Sequence, residues 1–263
     1  MKRVLMTPPS YFDVEYDINA WMHDAPPVDK RIARQEWQAL HDVYTKLLGW
    51  QVDLIDPVPH LPDMVFATDS CLVIGGRVLL SSFRYPERRP ETAEYEKWLR
   101  AHGSSDLKQA TRFFEGGDNL VCGELILAGH GFRSDAAAAD ELHAYFGRQV
   151  VPLKLINPLL YHLDTCVAVL SSDTVAVHMD GLDTASQQRL RETIPNIIEA
   201  TLDEALSFSL NALSDGHTVI TNDESPSLAQ KYRAAGFTVI TTPISEFKKS
   251  GGGVHCMTLE LDL

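Results

Sequence analysis

Cys71-Leu72-Val73-Ile74-Gly75-Gly76-Arg77-Val78-Leu79-Leu80 is two apolar runs turned back on each other through a glycine pair, the local signal of a β-hairpin. Its first arm reads as starting at Phe66. The figure returns along the chain. Asn119-Leu120-Val121-Cys122 and Leu125-Ile126-Leu127-Ala128 flank Gly123-Glu124; 165–170 and 174–177 flank Ser171-Ser172-Asp173; 208–213 and 217–220 flank Ser214-Asp215-Gly216. With a last strand expected over 257–261, these turns recur roughly every 43 to 50 residues, the spacing of a repeated supersecondary unit. Helical periodicity fills 32–48, 91–101, 135–146, 186–192, 199–206 and 227–235, and short apolar runs at 4–6, 52–55, 150–153 and 237–240 predict further strands. A unit of hairpin, helix and strand cannot bury its sheet alone and packs on its neighbours. The expected fold is therefore α/β, a single catalytic domain over 1–263 built as a five-unit α/β propeller with pseudo-fivefold radial repeats. A doubly wound sheet would want parallel alternation with fewer hairpins.

Bulk properties narrow the partners. The 263 residues carry a formal charge of -13, with 44% hydrophobic and 22% charged residues. That balance argues against nucleic acid or an anionic membrane as partner and suits attraction of a small cation. No apolar run approaches the length that spans a bilayer, and the first nine residues lack the pattern of a signal peptide, so a cytoplasmic location is expected. Four cysteines, Cys71, Cys122, Cys166 and Cys256, stand apart with no paired spacing and read as reduced thiols. Three lie inside apolar runs and read as core.

Cys256 differs. It follows Lys248-Lys249-Ser250-Gly251-Gly252-Gly253-Val254-His255, where three glycines let the chain pass close to a ligand or another backbone before the last strand. Beside two lysines and a histidine its thiol could have a lowered pKa and serve as a nucleophile; a buried cysteine after an ordinary turn is the alternative. Three other stretches place polar groups where strands begin: Pro62-Asp63-Met64-Val65-Phe66-Ala67-Thr68-Asp69, Phe114-Glu115-Gly116-Gly117-Asp118, and Tyr161-His162-Leu163-Asp164-Thr165. In an extended chain His162 and Asp164 project from one face, while His255, next to Cys256, points opposite to it. In a radial array Asp69, Glu115, His162, Asp164 and Cys256 face one axis. The aromatic segment 11–22 is either a flap over that point or a packed loop.

These four motifs, in this order and over essentially the whole chain, resemble the guanidino-group modifying enzymes of the pentein superfamily, which include arginine deiminases, dimethylarginine dimethylaminohydrolases, arginine dihydrolases and amidinotransferases. The family fold, a five-unit α/β propeller, agrees with the repeat. By resemblance Cys256 is the nucleophile, His162 the proton carrier and Glu115 the acid that orients it, while Asp69 and Asp164 grip the guanidinium. Substrate contacts are also expected from Asp63, Asn19, Arg84 and Arg133, the two arginines at places that look like those clamping the α-carboxylate of free arginine. No metal or organic cofactor is implied.

Subfamily features conflict. Dimethylarginine hydrolases resemble this chain in length but usually carry lysine at the position of Asp164 and an acid at that of Thr68. Arginine dihydrolases resemble it in the segment ending at Met22 yet look to have asparagine where Asp69 stands, and amidinotransferases are generally longer. The expected activity is hydrolysis of the guanidinium of free arginine or an Nω-methylarginine to citrulline plus ammonia or a methylamine, through a thiouronium intermediate. The alternatives are an arginine dihydrolase giving ornithine and ammonia, and a non-catalytic protein that binds arginine analogues. The partner expected is a small guanidino compound, with homo-oligomerisation left open.

Overall fold

The glycine-turned hairpin at Gly75-Gly76 forms as expected, and the computed structural model, which describes residues 2–262, repeats it around the molecule. The fifteen strands are β1 (Arg3–Met6), β2 (Gln51–Leu54), β3 (Cys71–Ile74), β4 (Arg77–Leu80), β5 (Asp106–Gln109), β6 (Asn119–Cys122), β7 (Leu125–His130), β8 (Gln149–Lys154), β9 (Val167–Val169), β10 (Thr174–Val177), β11 (Asn196–Glu199), β12 (Leu213–Ser214), β13 (Thr218–Asn222), β14 (Thr238–Thr242) and β15 (Leu259–Glu260). They form five three-stranded sheets: β15-β1-β2, β3-β4-β5, β6-β7-β8, β9-β10-β11 and β12-β13-β14.

Every sheet has one construction. Its first two strands pair antiparallel, and the third runs parallel to the second. A parallel return needs a crossover, and a helix supplies it each time: Lys30–Asp42, Glu91–Ala101, Ala138–Phe146, Thr184–Thr193 and Pro226–Ala234. The chain ends share one sheet. β15 pairs with β1 through Leu5↔Leu259, so the last strand closes the ring at the first.

A cavity of about 100 Å³ is lined by one strand from each sheet, through Leu72, Leu120, Ala168, Leu213 and Leu259 among others, which places β3, β6, β9, β12 and β15 around a common axis. The apolar core divides accordingly. One cluster joins the sheets of β1 and β3 through Leu5, Val73, Leu80 and Leu259; a second joins those of β3 and β6 through Leu72, Leu79 and Ile126. A third runs from the sheet of β6 to that of β12 through Leu127, Val175 and Val219, and a fourth returns to β1 through Ile220, Phe247, Val4 and Met6. This is the five-unit α/β propeller the repeat predicted.

Four expected strands lose their beginnings. Residues 66–70 become a tight turn at Ala67–Ser70, and 163–166 make one helical turn. Of 208–213 and 257–261 only Leu213–Ser214 and Leu259–Glu260 pair. All four segments are buried, and an apolar run reports burial without deciding whether the backbone pairs. Two strands were missed, β5 and β11, whose four residues carry only one and two apolar side chains, too short a run to mark a strand. β11 ends at Glu199, so the helix expected from 199 begins instead at Leu202, where Thr201 and Glu204 form a reciprocal cap. Among the described residues no helix is long and apolar enough to cross a membrane.

Leu5 is fully buried where the first and last strands meet. Leu5→Ala should lower unfolding stability in urea by about 2–5 kcal/mol, the range for truncating a core leucine.

Candidate active site

The segments that stop being strands gather at one end of the axis. The turn Ala67–Ser70, the tight turn Gly116–Asp118, the helical turn Leu163–Cys166, the loop before β12 and the glycine loop before β15 meet there. Thr68 donates its backbone N–H to the carbonyl of Cys256 at 3.1 Å, tying the first of these to the last. Strand register on each blade thus decides where one polar residue per unit stands.

Five expected residues come together. Nε2 of His162 lies 2.9 Å from Oε2 of Glu115, and its Nδ1 lies 3.5 Å from Oδ1 of Asp69. The Cys256 thiol donates to Oδ2 of Asp164 at 3.3 Å, and Nδ1 of His255 approaches the same oxygen at 2.9 Å. Gly117 marks the point where they converge. A Cβ built there would sit 2.5 Å from Oδ1 of Asp69, 3.0 Å from Nδ1 of His162 and 3.4 Å from Oδ2 of Asp164. Oδ1 of Asp69, Nδ1 of His162 and Oδ1 of Asp164 are buried without a hydrogen-bond partner, although buried polar atoms almost always have one. Two of these orphans, Oδ1 of Asp69 and Nδ1 of His162, flank Gly117, and the two open carboxylate oxygens suit a ligand that carries N–H donors.

Carboxyls outnumber cations there: Asp63, Asp69, Glu91, Glu115, Asp118 and Asp164 are buried with Arg88, Arg133 and His162, and His255 lies against Asp164. Burial alone would lower the pKa of His162, but the Asp69 carboxylate, the Glu115 hydrogen bond and Asp118 outweigh it and raise it to about 9. Burial likewise works against ionised Glu115, and Arg133 and His162 overcome it, holding this carboxyl well below the usual range. Burial pushes Asp118 up to about 7 and Glu91 up to about 7. Burial and then Asp164 and Asp69 push the Cys256 thiol well above its ordinary value. The expected lowering by neighbouring lysines is therefore reversed. Lys248 is paired with Glu224 and Lys249 with Glu246, facing away from the sulfur.

Other expectations are met differently. His162 and Asp164 do converge, but through an extended His162 that opens a helical turn containing Asp164, and not as alternate residues of a strand. Asp63 is buried and accepts from Ser250 Oγ at 3.0 Å, supporting the glycine loop. Asn19 donates to the Ser250 carbonyl at 3.0 Å, and Trp21 Nε1 donates to the Leu159 carbonyl, so the aromatic segment spans loops of two units. Phe12 of that segment is core, stacked on Phe247 and edge-on to Phe66. The Phe66 ring in turn fills the space a side chain at Gly252 would need.

The two arginines separate. Arg133 is buried, pairs with Glu115 Oε2 at 2.9 Å, donates to the Ile18 carbonyl, and lies between the rings of Tyr85 and Tyr161. The Arg84 guanidinium is not brought to the site: it is half-buried and bound to Asp135 and the Arg133 carbonyl. Arg88, unremarked in the sequence, takes the inner position, holding Oδ2 of Asp69 at 2.6 Å and both oxygens of Glu91. This leaves Oδ1 of Asp69 turned toward His162. Asn211 was also missed, although it touches the Cys256 sulfur. The spacing of Arg88 to Glu91 at a helix start was the available signal for the first; for Asn211, within an apolar run, there was none.

The sequence and fold are similar to those of known proteins. A family described as N,N dimethylarginine dimethylhydrolase, eukaryotic, matches residues 9–263. The N(G),N(G)-dimethylarginine dimethylaminohydrolase of Mycobacterium tuberculosis is 41% identical over 262 residues, 99% of this chain and 86% of that protein. The bifunctional arginine dihydrolase/ornithine cyclodeaminase ArgZ of Synechocystis is 35% identical over 98% of this chain and 37% of its own length. The crystal structure of the substrate-bound N-terminal domain of ArgZ superposes with a TM-score of 0.95 at 34% identity, covering 99% of this chain and 98% of that one. A citrulline complex of the Pseudomonas aeruginosa dimethylarginine hydrolase shares the fold, with a TM-score of 0.80 at 22% identity over 99% of both chains.

The His162 ring should remain charged through neutral pH and titrate near pH 9 by NMR, with Glu115→Gln moving the titration toward more acidic pH. Because the folded-state pKa is raised above the ordinary histidine value of 6.5, the stabilisation from the charged ring is full below 6.5 and is lost as pH rises through about 9.

Proposed function

The chain belongs to the N,N dimethylarginine dimethylhydrolase family of guanidino-group modifying enzymes, and from that premise we propose that residues 1–263 act as one catalytic domain that hydrolyses an Nω-methylated arginine to citrulline and a methylamine. As an enzyme of this family it is a hydrolase of amidino carbon–nitrogen bonds. The observation that carries the finer reading is the convergence of Asp69, His162 and Asp164 on Gly117, each with one buried atom lacking a partner, and with the Cys256 thiol hydrogen-bonded to Asp164.

A guanidinium is flat, cationic and rich in N–H donors, and two carboxylates can hold it by charge-assisted hydrogen bonds. In this reading Asp69 and Asp164 take those donors. The incoming cation also cancels the field that keeps the Cys256 thiol protonated, so the sulfur gives its proton to solvent water when substrate is in place, and the released amine takes up a proton from solvent in turn. The thiolate then attacks the guanidinium carbon. His162 is suited to protonate the departing nitrogen because it starts as an imidazolium: Glu115 fixes Nε2, and Nδ1 is the free, inward-facing atom. Loss of the amine leaves a thiouronium on sulfur. The ring, now neutral, takes a proton from water, whose oxygen adds to the same carbon, and collapse expels the sulfur as the urea forms.

Among the remaining expected contacts, Arg133 is taken up by Glu115 and the Ile18 carbonyl, Asn19 braces the glycine loop, and the Arg84 guanidinium lies outside the set. The likeness to ArgZ supports one further reading, hydrolysis of arginine to ornithine and ammonia. Product analysis separates the two.

Incubation with dimethylarginine, monomethylarginine and arginine should yield citrulline and the matching amine, fastest with a methylated substrate. Cys256→Ser should lower kcat by at least about a thousandfold, the scale of removing a covalent nucleophile. Ornithine as the product would replace this reading with the dihydrolase, and full activity in Cys256→Ser would remove the nucleophile.

A further inference from the structure

Asn211 is fully buried in the loop between Phe208 and β12, and its side chain is wrapped around the cysteine. Oδ1 accepts the backbone N–H of Cys256 at 3.1 Å; Nδ2 lies 3.0 Å from Cys256 Sγ and 3.2 Å from the carbonyl of Asp164. The amide can face only one way. A backbone N–H can only donate and a backbone carbonyl can only accept, so oxygen must meet Cys256 N and the NH₂ group must face Asp164 O and the sulfur.

Two features of the surroundings serve this arrangement. A Cβ at Gly253 would lie 2.9 Å from Oδ1 of Asn211 and 3.3 Å from its Cβ, so the third glycine of the run makes room for the amide. Phe208, whose N-terminal neighbours end a helix, adopts φ 62°, a left-handed conformation costly for a bulky residue, and its carbonyl accepts the Asn211 backbone N–H at 3.1 Å. Strain is held where the loop turns to present Asn211.

The chemistry of the sulfur explains the use of an amide here. The other side chains around Cys256 disfavour the anion: Asp164 lies 3.3 Å from Sγ, with Asp69 beyond. An N–H donor favours the opposite state, since a hydrogen bond to an ionised acceptor is about twice as strong as one to a neutral acceptor. A neutral donor supplies this without adding positive charge that would repel a cationic ligand. We propose that Asn211 is a further catalytic residue, whose Nδ2–H holds the Cys256 sulfur as an anion both when it attacks and when it is expelled. No proton passes to Asn211; it stabilises the charge that appears on sulfur when the S–H bond breaks and again when the S–C bond breaks. The proposal rests on the reading of Cys256 as nucleophile.

The test measures the sulfur directly. In ligand-free protein, alkylation of Cys256 by iodoacetamide is followed against pH by mass spectrometry of its peptide, for the native chain, Asn211→Asp and Asn211→Ala. Asn211→Asp keeps the acceptor for Cys256 N–H and replaces the donor at sulfur with a carboxylate oxygen. Its rising limb should move about one unit to higher pH, making alkylation about tenfold slower at a given pH, with kcat on the turned-over guanidino substrate falling at least about tenfold and KM changing little. Asn211→Ala should move the same way by less, and carries the comparison if the aspartate variant does not fold. A residue that only braced the loop would behave oppositely, since loosening exposes the thiol and speeds alkylation. Profiles that coincide with the native one, or faster alkylation in a folded variant, overturn the proposal. Turnover that survives Cys256→Ser would defeat the nucleophile reading instead, and the alkylation profiles would still report whether Asn211 acts on the sulfur.

Discussion

The structure depends on burying, at one end of the propeller axis, a set of carboxyls that outnumbers its cationic side chains. Arg88 and Arg133 are spent on particular oxygens, Oδ2 of Asp69 and Oε2 of Glu115, so that the opposite oxygen of Asp69 and one oxygen of Asp164 are left without partners. Isolated buried charge is expensive, and a protein keeps it where something else completes the balance. On the proposed function a flat organic cation does so here. The same deficit keeps the cysteine thiol protonated at rest and keeps His162 charged, so binding and chemistry share one electrostatic cause.

The scaffold serves this by geometry. Five short sheets around an axis each end, at the same level, in a turn carrying one or two polar residues, and ring closure through β1 and β15 brings the last of these, Cys256, beside the first, Thr68 and Asp69. Glycine at 117 and 252 is required by close approach, of three functional groups in one case and the Phe66 ring in the other. Because the site belongs to all five units, its groups are held by separate blades whose cores lie between neighbouring sheets, and each can be rigid on its own account.

Much of this was legible in the sequence because hairpin signals are local and recur. The turns at Gly75-Gly76, Gly123 and Ser172 announced the repeat, and the order of the four motifs carried the resemblance and with it the five converging side chains. What the sequence concealed depends on direction and partner. Arg84 and Arg88 stand four apart in one polar loop, and only packing decides which guanidinium turns inward. Asn211 sits in an apolar run that reads as strand but loops to reach the sulfur. The lysines beside Cys256 suggested an acidic thiol, whereas distant carboxylates and burial raise it. The short strands β5 and β11 carry one and two apolar residues, too few to show an apolar pattern.

On the proposed function the Cys256 sulfur ionises because a cation fills the space between Asp69 and Asp164. Ultraviolet difference spectroscopy of the thiolate band tests it most directly. At neutral pH the ligand-free protein should show no thiolate at Cys256, and adding a guanidinium compound should raise the band in the native chain and leave Cys256→Ser unchanged. A thiolate band already present without ligand, or none on saturation with a guanidinium, would contradict it.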